Sequence, residues 1–116
     1  YKKACLIREE INREFDAVFE KCDVLVAPTA PSTAFPLNCR RTSPVEMYLS
    51  DICTVPVNIA GVPAISVPCG MDSNGLPIGM QIIGRRFGEA TILQAAHFYE
   101  QNAGEVVSAY EGGARI

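Results

Sequence analysis

Residues 62–84 read Val62-Pro63-Ala64-Ile65-Ser66-Val67-Pro68-Cys69-Gly70-Met71-Asp72-Ser73-Asn74-Gly75-Leu76-Pro77-Ile78-Gly79-Met80-Gln81-Ile82-Ile83-Gly84. Two apolar, β-branched runs, 62–68 and 78–83, flank a polar stretch ending in Asn74-Gly75, a pair that supplies the positive φ angles of a hairpin turn. The pattern predicts two antiparallel strands, the first bounded by prolines and the second stopped by Gly84.

Working outward, residues 89–101 carry Ile92, Leu93, Ala96 and Tyr99 at helical spacing, which predicts an amphipathic helix with these four inward. Upstream of the hairpin, 45–53 allow a short helix that Pro56 ends or kinks, with Asp51 at its end and a further helical turn over 57–61. Nearer the N-terminus, Val24-Leu25-Val26 is a short continuous apolar run ending at Pro28, the composition of a strand buried on both faces. Ahead of it, Ala4, Ile7, Ile11, Phe15, Val18, Phe19 and Cys22 fall on one helical stripe, with a mixed-sign charged face between them. No capping residue precedes that helix, so the chain start is expected to be a cut.

Pro28, Pro31, Pro36 and Pro44 exclude helix and central strand from residues 27–44 and predict a long ordered loop, a form that often lines a site or meets a partner. The fold class is therefore α/β: a mixed sheet containing an antiparallel hairpin, with flanking helices. Residues 1–101 are expected to form this unit, and the glycine-rich 102–116 a frayed tail.

Of 116 residues, 48% are hydrophobic and 20% charged, which is the composition of a globular protein. A net charge of −3 is a poor match to a phosphate backbone and argues against direct nucleic-acid binding. The longest apolar stretches are interrupted by Pro, Asn and Gly and fall short of a membrane span. Five cysteines with no CxxC pair and a single His suggest neither a disulfide framework nor a zinc site, and are expected to be reduced thiols of a cytosolic protein.

Nucleophile signatures are missing, since neither GxSxG nor SxxK occurs. His97 lies mid-helix, where packing or surface exposure is the simpler reading than catalysis. Cys53 and Cys69 have no base near them in sequence and are expected to be small apolar fillers. The glycines follow turn punctuation and form no phosphate-cradling motif. Arg85-Arg86 could hold an anion, although a solvated guard at the strand exit is the simpler expectation. Asp51 stands apart because it is flanked by Leu49, Ile52, Val55 and Val57. An acid in apolar surroundings calls for a cationic partner, and a local helix or loop cap is the competing explanation.

The stretch Tyr48-Leu49-Ser50-Asp51-Ile52-Cys53-Thr54-Val55-Pro56-Val57-Asn58-Ile59-Ala60-Gly61, continuing to Gly70, closely resembles the amidase signature family. Gly75-Leu76-Pro77-Ile78-Gly79-Met80-Gln81-Ile82-Ile83-Gly84 and Asp23-Val24-Leu25-Val26-Ala27-Pro28-Thr29 extend the likeness, which covers residues 1–101. The resemblance implies the C-terminal portion of the amidase signature fold. In that family a Ser nucleophile, a second Ser in a cis peptide and a Lys base cleave an amide, and all three lie N-terminal to the matched segment. It therefore implies an enzyme at full length, no catalytic residue in this chain, and no activity for the chain alone.

Within the family the chain is most similar to the glutamine-using subunits of tRNA-dependent amidotransferases. Such a subunit releases ammonia from L-glutamine, and a partner B subunit uses ATP and Mg with that ammonia to amidate misacylated glutamyl-tRNA(Gln) or aspartyl-tRNA(Asn). A small C subunit completes the assembly. The implied partners are the B and C subunits, with tRNA met only through the complex and no membrane. No cofactor is implied for this chain, and the implied location is the cytoplasm or an organellar matrix. One role carries over by position: Asp51 matches the residue that accepts the α-ammonium of bound L-glutamine, a charge-assisted contact roughly twice as strong as a neutral one. Two rival expectations are another amide hydrolase of the family and a non-catalytic module docking a partner through the proline-rich loop.

Overall fold

A computed structural model describes residues 1–36 and 44–104. Among them the chain forms α1 (Lys2–Phe19), β1 (Val24–Pro28), α2 (Pro44–Ser50), α3 (Val55–Ala60), β2 (Ala64–Met71), β3 (Pro77–Gly84) and α4 (Glu89–Asn102). Residues 37–43 of the expected loop and 105–116 of the expected tail lie outside the described residues.

The strands order as β1-β3-β2, with β3 antiparallel to both neighbours. The predicted hairpin is β2–β3, and β1 pairs along the free edge of β3 with Leu25 opposite Ile83 and Ala27 opposite Gln81. Helices flank the sheet as the α/β reading expects, and both described ladders are antiparallel. Because side chains alternate along a strand, Ile83 and Ile82 point to opposite faces, and each anchors its own cluster. Ile83 joins Phe19, Val57, Ala60 and Val62, beneath α1 and α3. Ile82 joins Val67, Ile92 and Ala96, beneath α4. The core is thus two small layers separated by one central strand.

Several local expectations change in the folded chain. β1 is an edge strand whose Val26 is 60% exposed, so it is not buried on both faces. The stripe of α1 packs inward at Ile11, Phe15 and Phe19, whereas Ile7 and Val18 are exposed. On α4, Ile92, Ala96 and Tyr99 face the sheet, but Leu93 is exposed. Pro56 neither ends nor kinks a helix: it occupies the first turn of α3, where its missing N–H is no loss and its fixed φ suits helix initiation. The preceding helix stops earlier, at Ser50, leaving residues 51–54 as a turn.

The hairpin turn also differs from the predicted two-residue form. Asp72 N donates to Leu76 O at 2.9 Å and Gly75 N donates to Asp72 O at 3.0 Å, which encloses three residues with Gly75 at φ 76°. Only the glycine of the Asn-Gly pair takes the left-handed conformation, as in a type I turn closed by a glycine bulge.

Arg85 and Arg86 are exposed at the strand exit, as expected, but each also fastens a helix end. Arg85 Nη2 donates to Phe19 O at 2.8 Å, at the end of α1, and Arg86 Nη2 donates to Ala60 O at 3.1 Å, at the end of α3. Arg8 Nε reaches Ile59 O at 3.1 Å on the same α3 terminus. The last carbonyls of a helix have no partner within it, so these guanidiniums satisfy them and complement the negative end of the helix dipole. The Arg85–Asp23 pair at 3.8 Å is exposed and adds little.

Candidate substrate-holding face of the sheet

The face of β3 that carries Ile83 also carries Gln81 and Gly79, so the apolar layer beneath α1 and α3 passes along the strand into a polar strip. Gln81 is 4% exposed and is the one buried polar side chain among the described residues. Its Nε2 donates to Pro28 O at 2.9 Å, at the end of β1, and to Cys53 O at 2.8 Å, in the turn between α2 and α3. A buried amide without partners costs about 1–3 kcal/mol, so the two carbonyls are what permit its burial. Beside it, the hydroxyls of Thr29 and Ser66 lie 2.7 Å apart, and Thr29 N donates to Gly79 O at 2.9 Å.

Asp51 begins the turn that Gln81 holds. Its carbonyl accepts Thr54 N at 3.0 Å, Val55 N at 2.9 Å and Thr54 Oγ1 at 3.2 Å, while its own N–H donates to Tyr48 O at 3.3 Å. The residue is exposed, and so are Tyr48, Leu49, Ile52 and Val55 around it in the chain. A carboxylate is therefore set on a fixed turn among outward-facing apolar side chains.

Clefts open at several places along the described residues, and three of them bear on this face. The first, about 410 Å³, runs along the chain after β1 and is walled by Pro28, Thr29, Ser32, Thr33, Ile78 and Gly79. Its loop is pinned where Thr33 Oγ1 donates to Asp72 Oδ2 at 2.7 Å. Asp72 Oδ1 in turn accepts Leu76 N at 2.9 Å and Asn74 N at 2.8 Å. The Leu76 amide and then the Thr33 hydroxyl hold the Asp72 carboxyl below the usual carboxylate range. The second cleft lies between α1 and Arg85, and the third, about 450 Å³, between α1 and α3 near Arg8 and Asn58. Asp51 lines none of the three.

His97 is exposed on α4, away from this strip. Cys53 and Cys69 are half-buried free thiols, and Cys69 Sγ donates to Ile78 O at 3.5 Å. Among the described residues no group of three or more His, Cys, Asp and Glu side chains could hold a metal ion. No helix among them is long and apolar enough to cross a membrane.

Sequence reasoning singled out Asp51 but missed Gln81, Thr29 and Ser66. A signal for Gln81 was present: a long polar side chain in the run Met80-Gln81-Ile82-Ile83, predicted as strand, has to be buried with partners or exposed at an edge. Thr29 and Ser66 lie 37 positions apart, and nothing in the sequence pairs them.

The chain is similar to known proteins in sequence and in fold. The A subunit of glutamyl-tRNA(Gln) amidotransferase from Brevibacillus brevis is 59% identical over 104 residues, 90% of this chain and 21% of its own length. The protein of the same name from Synechococcus sp. (strain CC9311) is 52% identical over all 116 residues, 24% of its length. The chain thus spans about a fifth of the length of the curated relatives it matches. The crystal structure of the glutamyl-tRNA(Gln) amidotransferase A subunit from Thermotoga maritima superposes with a TM-score of 0.82 at 44% identity, covering 87% of this chain and 22% of that one. The family model described as Amidase matches residues 1–93, and with it the chain belongs to the amidase family.

Proposed function

We propose that this chain is the C-terminal portion of the glutamine-hydrolysing A subunit of a tRNA-dependent amidotransferase, and that Asp51 receives the α-ammonium of L-glutamine. The observation that carries the reading is the setting of Asp51: a carboxylate on a tethered turn, flanked by exposed Tyr48, Leu49 and Ile52. Once such a face is covered by further protein, an acid on it is stable as an ion only beside a cation, and an amino-acid ammonium meets that need. Relatives bearing the A-subunit name at 52–59% identity support the same reading.

In this scheme the nucleophile and its base are supplied by the rest of the full-length protein, and the 116-residue chain alone has no amidase activity. The full-length protein works with B and C partners, the B subunit using ATP and Mg to join the released ammonia to the tRNA-bound substrate. The overall reaction is a ligation forming a carbon–nitrogen bond, and the setting is cytoplasmic. A general hydrolase of simple amides has no ammonium to bind, which is why the acid favours the glutamine-using branch.

The test is Asp51→Asn in the full-length protein, with ammonia release from L-glutamine compared with glutaramate, the analogue in which hydrogen replaces the ammonium. Losing one charged hydrogen bond lowers kcat/KM for glutamine about ten- to hundredfold and leaves glutaramate unchanged. Equal use of both substrates by the unsubstituted enzyme would identify a general amide hydrolase instead.

A further inference from the structure

We propose that Gln81 is a positioning residue for Asp51, the strut that sets the substrate-ammonium acceptor at a fixed height above the central strand. The inference rests on the glutamine reading above and extends it to a residue that touches no substrate.

A glutamine amide nitrogen has two N–H groups, and both are used here, on Pro28 O at 2.9 Å and Cys53 O at 2.8 Å. Both acceptors are main-chain carbonyls, so turning the amide over would bring its own oxygen against theirs, and one orientation is enforced. The side chain leaves the middle of β3, the strand paired on both edges and packed on both faces. Its base is therefore the most constrained part of the sheet. Its far end holds Cys53 O, two residues beyond Asp51, inside the turn whose other bonds close on Asp51 O from Thr54 and Val55.

A shift of Cys53 is thereby transmitted to the Asp51 main chain, because residue 53 is fixed to the strand and residues 54 and 55 are fixed to residue 51. Ile52 and Leu49, the apolar neighbours of the turn, are exposed and cannot anchor it by burial within this chain. An error of about 1 Å in a group that orients substrate is enough to lower turnover about a hundredfold. Specificity for the ammonium then depends on a residue in the sheet, as functional groups commonly depend on the shell that supports them.

The experiment measures kcat/KM for ammonia release from L-glutamine and from glutaramate with the full-length protein in its complex, for Gln81→Leu, Gln81→Met, Asp51→Asn and the Gln81→Leu/Asp51→Asn double variant. The positioning role predicts that Gln81→Leu lowers the preference for glutamine over glutaramate about tenfold, and that the double variant shows no less preference than Asp51→Asn alone. A partly folded variant loses both activities by one factor, which leaves the ratio untouched, and Gln81→Met fills the same space if the leucine variant is inactive.

A wild-type ratio in the Gln81 variants, alongside a collapsed ratio in Asp51→Asn, would overturn the strut while sparing the glutamine reading. An unchanged ratio in Asp51→Asn would overturn that reading itself. Loss of all turnover in both Gln81 variants would also overturn the specific role, making the residue a determinant of the fold.

Discussion

Thr33 Oγ1 donates to Asp72 Oδ2 at 2.7 Å, fastening the loop after β1 to the turn between β2 and β3 across 39 positions of sequence. The same carboxylate accepts two main-chain N–H groups of its own turn through Oδ1, from Asn74 and Leu76. One acidic side chain therefore sets the hairpin's three-residue loop and the wall of the neighbouring cleft.

Acid should loosen this region first. The carboxyl of Asp72 is held below its ordinary range by the Leu76 amide and the Thr33 hydroxyl, so the folded state binds its proton less readily than the unfolded chain does. Its contribution is complete above the unfolded value of about 4 and is lost as pH falls through the lower folded value. Asp72→Asn keeps an acceptor for the turn but has no charge to titrate. Amide hydrogen exchange at Asn74 and Leu76 should rise as pH falls below about 4 in the parent relative to its neutral-pH protection, and the variant should lack that step. A step of the same size in both proteins would show that Asp72 is not its source.

Gly84→Ala should be disruptive for a steric reason. A Cβ at Gly84 would lie 2.6 Å from Ile92 Cγ2, inside the layer beneath α4. Overpacking of this kind costs about 1–3 kcal/mol. Ile92→Leu removes the β-branch that clashes and should recover part of the loss, so the double variant is expected to melt above Gly84→Ala alone. Additive losses would show that the close approach is not the cause.

Arg86→Ala leaves Ala60 O, at the buried end of α3, without its guanidinium donor. The expected loss is about 1 kcal/mol, a drop of several degrees in Tm for a domain of this size. Arg13, whose Glu9 partner lies at 4.0 Å on an exposed helix face, is the control, and Arg13→Ala should change Tm little. Equal melting temperatures for the two variants would exclude a capping role for Arg86.

The isolated 116-residue chain should self-associate. Leu6, Val26, Ile52, Phe87 and Phe98 are each more than half exposed, and β1 and β2 border the described sheet. Exposed strand edges beside apolar surface promote association. Light scattering at micromolar concentration should report oligomers, and a monodisperse monomer would contradict this.

Order and type of the elements could be read along the chain because they depend on local chemistry: a 3.6-residue stripe in α1 and α4, β-branched runs in β2 and β3, and glycine at the turn between them. Asp51 stood out for the same reason, since an acid amid Leu49, Ile52 and Val55 is anomalous within a single window, and the fold adds that all four are exposed. Partners distant in sequence were not. That Leu93 faces solvent, that Val26 lies on an edge, that Arg85 and Arg86 cap two helices, and that Gln81 holds the Asp51 turn all depend on which element lies beside which. Periodicity marks a side chain as inward or outward relative to its own helix or strand. Only the packing of β3 between two layers of helices settles what it meets there, because hydrogen bonds and close contacts act over a few ångströms in space and carry no trace of their span along the chain.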